Sequence, residues 1–287
     1  MASNLPVNGH LVNIGTHSLA LYSHGPEPSS SRDPVVLFIS GIASDAESSP
    51  LTPTAENVAL ELSLLIEKAS ISNPLILVGH SWAGVLTHEY IALKGTDQLA
   101  GLVLVDANHE TAPLVMNVND PVLWTVIAAD LEPYSAWGVE AAHKLTPQEW
   151  NAFREAEATE KFQLIMQREE ENYVSSFERL REKELGKKQP LLGERPVYVI
   201  AGTRSRDWSG LYRAGVARGN GTEEERSYVR EMIETVDAKN EGLMREFLKL
   251  SRKSELVFAT ESGHFVQLTQ PEVVADGVNW ALHNIPR

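Results

Sequence analysis

The sequence predicts an α/β protein, with a mostly parallel sheet and helices on both of its faces. Short uninterrupted apolar runs recur along the chain, and runs of this kind mark strands covered on both faces. Segments with apolar residues at helical spacing separate most of these runs, the alternation expected of a parallel sheet. The composition of the 287 residues is that of an ordinary soluble globular protein, with 43% hydrophobic and 22% charged residues.

Leu11-Val12-Asn13-Ile14 and His17 to Tyr22, joined by Gly15-Thr16, alternate as a two-stranded hairpin does. Gly25 to Asp33, rich in Pro and Ser, is a loop. Val35-Val36-Leu37-Phe38-Ile39 is the first buried strand, and Ser40-Gly41-Ile42 ends it. Thr54 caps a helix carrying Val58, Leu62, Leu65 and Ile66 on one face. Further strands follow at Leu75-Ile76-Leu77-Val78, Leu102-Val103-Leu104-Val105, Val197-Tyr198-Val199-Ile200 and Leu256-Val257-Phe258-Ala259.

Between the strand that ends at Asp106 and the one that begins at Val197 there is no strand signal, and the interval is too long for one crossover helix. Residues 107–190 are therefore expected to form an inserted helical module, with 1–106 and 191–287 as the core. Thr146-Pro147-Gln148-Glu149 is a capping box with proline at the first helical position, so a helix starts there. A second box, Thr222 to Glu225, opens a helix with Val229, Met232, Ile233 and Val236 on one face, and Pro271 opens the last helix.

Totals exclude several functions. A net charge of −14, spread along the chain, argues against nucleic acid or an anionic membrane surface as partner. The absence of cysteine removes disulfides, thiolate metal sites and cysteine nucleophiles. No histidine pair has metal-ligand spacing with a third ligand, so neither a metal nor another cofactor is expected. The N-terminal residues lack a basic and then apolar leader, and no apolar run approaches a membrane span, so the expected location is cytoplasmic.

Chemistry concentrates at Gly79-His80-Ser81-Trp82-Ala83-Gly84, which joins an apolar strand to a helix-forming segment. Such a turn strains its central residue and is tolerated only where the residues two before and two after are small. Gly79 and Ala83 meet that demand. Ser81 then stands above the sheet edge at a helix N-terminus, where the unpaired N–H groups favour developing negative charge. A serine needs a base, and the base needs an orienting group. His264 lies just past the last strand, and parallel strands present their carboxyl ends on one edge, so His264 and Ser81 emerge together.

These motifs, with Ser40-Gly41-Ile42 after a strand and Gly263-His264 ahead of Pro271-Glu272, resemble the α/β-hydrolase superfamily over about Leu11 to Ile285. The resemblance implies an α/β-hydrolase fold, Ser81 as nucleophile, His264 as base, and an oxyanion hole from the backbone N–H groups of Ile42 and Trp82. It makes residues 107–190 a cap and, by the texture of its helices, adds the expectation of a fungal hydrolase of specialised metabolism. It places the acid after the strand ending at Gly202, which favours Asp207, although that residue lies a little further along than usual; Asp106, at the end of the preceding strand, is the alternative. His80 and His109 are expected to border the pocket. Trp124, Trp137, Trp150 and Phe153 would suit an apolar ligand but are expected to form the cap's own core.

In one place the chain departs from the family. A helix, a strand and a turn belong between the Ile42 loop and the Thr54 helix, yet roughly a dozen residues are present where about twice that are needed. The missing strand would lie between the hairpin and Val35–Ile39, leaving either a gap or a hairpin shifted across to pair with Val35–Ile39. Two functions follow. One is a serine hydrolase of a small ester, thioester or lactone; the other is a non-hydrolytic member of the fold, a cyclase or lyase using the same dyad, or an impaired binding scaffold. An aspartate nucleophile is excluded because the elbow carries serine.

Overall fold

Residues 9–41 and 51–286 are described by the computed structural model. Strands β1 (Gly9–Asn13) and β2 (Ser18–Tyr22) form an antiparallel hairpin. Strands β3 (Val35–Ile39), β4 (Leu75–His80), β5 (Leu99–Val105), β6 (Val197–Gly202) and β7 (Ser254–Ala259) form a parallel sheet in that spatial order. Chain order and sheet order coincide, so each crossover returns to the adjacent strand.

Residues alternate between two cores on opposite sides of this sheet. Leu75, Leu77, Leu102, Leu104, Val197 and Val199 face α1 (Ala55–Lys68), α2 (Ala83–Lys94) and the long helix α6 (Glu223–Phe247). Ile76, Val78, Val103, Val105 and Ile200 face α7 (Pro271–Asn284). This two-sided burial is why the central strands read as continuous apolar runs; each large aliphatic side chain removed from water contributes about 1.5–3 kcal/mol.

Among the described residues the hairpin pairs only with itself, so of the two outcomes expected at the missing strand the structure takes the gap. The sheet therefore begins at β3, whose Phe38 is 66% exposed. The loop after Gly41, including Ile42, lies largely outside the described residues.

Between β5 and β6 stands a helical region consistent with a cap. It includes α3 (Pro147–Glu157) and α4 (Glu160–Glu182), a π-helical turn at Val122–Ile127 and several single turns. Both capping boxes form as the sequence requires: Glu149 N–H donates to Thr146 Oγ1 and Thr146 N–H to Glu149 Oε2, and Thr222 and Glu225 repeat the pair. After β6 the chain enters α5 (Arg204–Ala217) and then α6. No helix among the described residues is long and apolar enough to cross a membrane.

Candidate active site

The strain expected at the elbow is present. Ser81 has φ +58°, a left-handed conformation that a non-glycine residue adopts only when its surroundings hold it there. A Cβ on Gly79 would stand 3.2 Å from Ala83 Cβ, which explains the small residues on either side of the serine. Asn108 N–H donates to Ser81 O (2.7 Å), and Ser81 N–H donates to Val105 O (3.2 Å), tying the turn to the end of β5.

His264 arrives from the loop after β7. Its Nε2 lies 2.9 Å from Ser81 Oγ and its Nδ1 lies 2.6 Å from Asp106 Oδ2. Asp106, at the end of β5 with φ +39°, is fully buried. Its Oδ1 accepts from Gly202 N–H (3.1 Å) and Asn240 Nδ2 (2.9 Å), and its Oδ2 also meets Arg204 Nη2 at 3.0 Å. Burial opposes its ionisation, but Arg204, His264 and Asn240 outweigh it and hold the carboxyl well below the usual range. An ionised Asp106 can only accept, so the imidazole proton sits on Nδ1 and Nε2 is free to accept from Ser81. His264 is itself pulled below the ordinary histidine value, by burial first and then by Arg204, against the attraction of Asp106.

Position after β6 favours Asp207 as the partner of His264, but in the structure Asp106 holds the ring. Asp207 lies in the first turn of α5, and its Oδ2 accepts the backbone N–H of His264 at 2.7 Å. A Cβ on Gly263 would fall 1.8 Å from Asp207 Oδ1, so only glycine lets this carboxyl lie against the loop. Burial pushes Asp207 up to about 7, the His264 amide offsetting only part of the cost.

Trp82 N–H makes no hydrogen bond with the described residues and stands at the head of α2 next to Ser81, as an oxyanion donor would. Ile42, the expected second donor, is outside the described residues. Gly41 is close by, since a Cβ there would come within 3.4 Å of Ser81 Oγ. His80 does not line the cavity but packs against His264. Its Nε2 donates to His264 O (2.9 Å), its ring lies 4.5 Å from that of His264, and burial takes it down to about 3. His109 packs edge-on against Phe247 and bonds Thr111, away from Ser81.

A cavity of about 180 Å³ opens over Ser81 and His264. Val118, Trp124, Trp137, Trp208 and Phe265 form its apolar wall, with Asn108, Tyr173, Arg204 and Asp207 among its polar groups. Of the four aromatic residues expected to form the cap's own core, Trp124 and Trp137 line the cavity, whereas Trp150 and Phe153 pack around Tyr134. Among the described residues no group of three histidine or acidic side chains converges to hold a metal.

Arg204 and Asn240 are part of the site, and sequence reasoning did not select them. Asn240 had a legible signal: it continues the apolar stripe Val229, Val236 at helical spacing, a polar residue on a face turned to the core. Arg204 lies in the very segment searched for a carboxylate, where a cation draws no notice.

A profile described as Alpha/beta hydrolase family matches residues 6–277. The chain is 27% identical over 95% of its length to a probable transporter, efuK, of Hormonema carpetanum, spanning 42% of that protein's length. It is 28% identical over 77% of its length to an AB hydrolase superfamily protein of Gibberella zeae, covering 69% of that protein. Among solved structures, Cfl2 of Burkholderia cenocepacia shares the fold at a TM-score of 0.62 and 12% identity, with 94% of each chain covered. With the family profile running through nearly the whole chain and a five-stranded parallel sheet beneath the elbow, this protein belongs to the alpha/beta hydrolase family.

Proposed function

We propose that the protein is a serine hydrolase that cleaves a small ester, thioester or lactone through an acyl-enzyme on Ser81. One observation carries this reading: the unbroken relay of Ser81 Oγ to His264 Nε2 at 2.9 Å and His264 Nδ1 to Asp106 Oδ2 at 2.6 Å. Ser81 Oγ attacks the carbonyl carbon while its proton passes to Nε2, and Asp106, taken here as the acid in place of Asp207, stabilises the imidazolium. Trp82 N–H, with Ile42 N–H as the family resemblance implies, receives the oxyanion. Collapse expels the alkoxide or thiolate, which takes the proton from Nε2. Water, deprotonated by the same nitrogen, then attacks the acyl carbon and releases the acid and Ser81.

The cavity favours small substrates. Ligand sites commonly run to about 300–1,000 Å³, so a cavity of about 180 Å³ admits a short or single-ring acyl group against Trp124, Trp137 and Phe265. A cap formed by residues 107–190, supplying Trp124 and Trp137, accords with this reading.

A fluorophosphonate probe tests it without knowledge of the natural substrate. The folded protein should take one label, mapped to Ser81 by peptide mass spectrometry, and Ser81→Ala should take none. Absence of label on folded wild-type protein overturns the proposal. Labelling without turnover of aryl esters, thioesters or lactones would point instead to a cyclase or lyase using the same dyad.

A further inference from the structure

The role inferred below for Arg204 rests on the reading of Ser81, His264 and Asp106 as a catalytic triad. Two donors converge on one oxygen of Asp106: His264 Nδ1 at 2.6 Å and Arg204 Nη2 at 3.0 Å. Arg204 is 6% exposed, and a buried guanidinium is costly to desolvate unless it is paired. Its one ionic partner among the described residues is the carboxylate that also orients the base. A second contact, Nη2 to Asp106 O at 3.4 Å, fixes the guanidinium against the strained backbone at the end of β5, while Nε has no partner among the described residues. Arg204 is thus held at Asp106, and by little else.

We propose that Arg204 is a positioning residue: by sharing Asp106 Oδ2 with the imidazole, it fixes the acid and keeps His264 free of a second proton, so that Ser81 remains reactive in mildly acidic medium. Protonating His264 places a second cation beside an oxygen already paired with one. Asp106 then serves two positive charges, and each gains less than it would alone.

The other groups around His264 leave this contest undisturbed in acid. Asp207, at its backbone N–H, is uncharged below about 7. His80, against its ring, is held neutral down to about 3, and the Tyr173 phenol across the cavity is pushed up to about 12. Arg206 acts on Asp207 from the same turn of α5. Between pH 4 and 6 His264 is therefore the group of this cluster that changes charge, and beyond its burial Arg204 and Asp106 decide where.

The rate of fluorophosphonate labelling against pH measures this, because it follows the fraction of His264 that is neutral. Wild-type protein should show a midpoint below about 6.5, the ordinary histidine value. Arg204→Met should move the midpoint up by about one unit, which at a pH well below both midpoints lowers labelling about tenfold relative to wild type, each rate taken against its own plateau. Arg204→Lys, which keeps the charge, should stay within about 0.3 unit of wild type. A merely structural Arg204 would lower the rate equally at every pH with the midpoint unmoved, and that result overturns the proposal. A Lys variant displaced as far as Met overturns it too, since charge would then not be the cause. If Arg204→Met fails to fold, Arg204→Gln replaces it, with the same upward shift expected. Titration of the His264 ring by NMR in wild-type protein is an independent test: a value at or above about 6.5 overturns the proposal whatever the variants do. Failure of wild-type protein to label at all is a different result. It removes the hydrolase reading, while the NMR titrations of wild type and Arg204→Met still judge Arg204, an unmoved value in the variant overturning the proposal.

Discussion

The end of β5 and the first turn after β6 each bring one buried aspartate to His264, and the two carboxyls are driven in opposite directions. Asp106 meets an arginine, the imidazole, an asparagine amide and a backbone N–H, and is held well below the usual range. Asp207 meets one backbone N–H and is pushed up to about 7. Burial is nearly equal at the two sites, so the number and charge of the donors decide which carboxylate is ionised. Only the ionised one can orient an imidazole and stabilise its protonated form.

The largest expected effect separates the two directly. Asp106→Asn should lower the labelling rate at Ser81, and any ester turnover, by about 10³–10⁴-fold, because an amide leaves the Nε2-accepting tautomer unsupported and Arg204 unpaired. Asp207→Asn retains an acceptor for the His264 amide and should cost less than about tenfold. Equal losses from the two variants would show that the loop contact of Asp207 matters as much as the ring contact of Asp106.

How far this was legible in sequence follows from what each residue depends on. Ser81, Gly79 and Ala83 obey a local backbone demand, and a few consecutive residues display it. His264 follows from topology, because parallel strands share one carboxyl edge. The strands were legible because two-sided burial leaves a continuous apolar run, and the missing strand beside β3 because its loss shortens the chain, although the choice between a gap and a shifted hairpin stayed open. The carboxylate that pairs with the His264 ring was not legible. Asp106 and Asp207 both reach that edge, and the choice turns on loop geometry of a few ångströms and on Arg204 and Asn240, which lie 98 and 134 residues from Asp106. Trp124 and Trp137 pack against the core and also line the cavity, and sequence could not choose between the two roles because an apolar side chain looks the same whether it faces a core or a cavity.

A second, smaller effect concerns stability and pH. Asp207 has a folded value of about 7 against an ordinary 3.8. Below about pH 4 both folded and unfolded chains hold this proton, and its contribution is fully present. As pH rises from 4 to 7 the unfolded chain releases the proton first, so wild-type stability falls, and above 7 the loss is complete. Asp207→Asn removes that slope. The stability of the variant minus that of wild type, from urea melts at pH 4, 5.5, 7 and 8, should grow with pH up to about 7 and then level off, with a ceiling of about 4 kcal/mol. A difference that shrinks with pH would mean that Asp207 is ionised in the fold and belongs with Asp106 after all.

The smallest effect tests whether the neutral donors at Asp106 matter beside the charged ones. Asn240 Nδ2 gives its hydrogen bond to Asp106 Oδ1, but Asn240 Oδ1 is buried with no partner among the described residues. Asn240→Leu loses a bond to a charged acceptor, worth about 1.5–3 kcal/mol, and at the same time removes an orphaned carbonyl whose burial costs about 1–3 kcal/mol. The two nearly offset, so the expected loss of stability is about 1 kcal/mol by denaturant melts. Gly202 N–H still holds Oδ1, and Arg204 and His264 still hold Oδ2. Labelling of Ser81 should therefore fall less than about tenfold, with its pH midpoint shifted upward only slightly, since no charge is lost. A loss as large as that of Asp106→Asn would place the orientation of the acid in Asn240, and the contrast between the two aspartates would then rest on that one amide and not on charge.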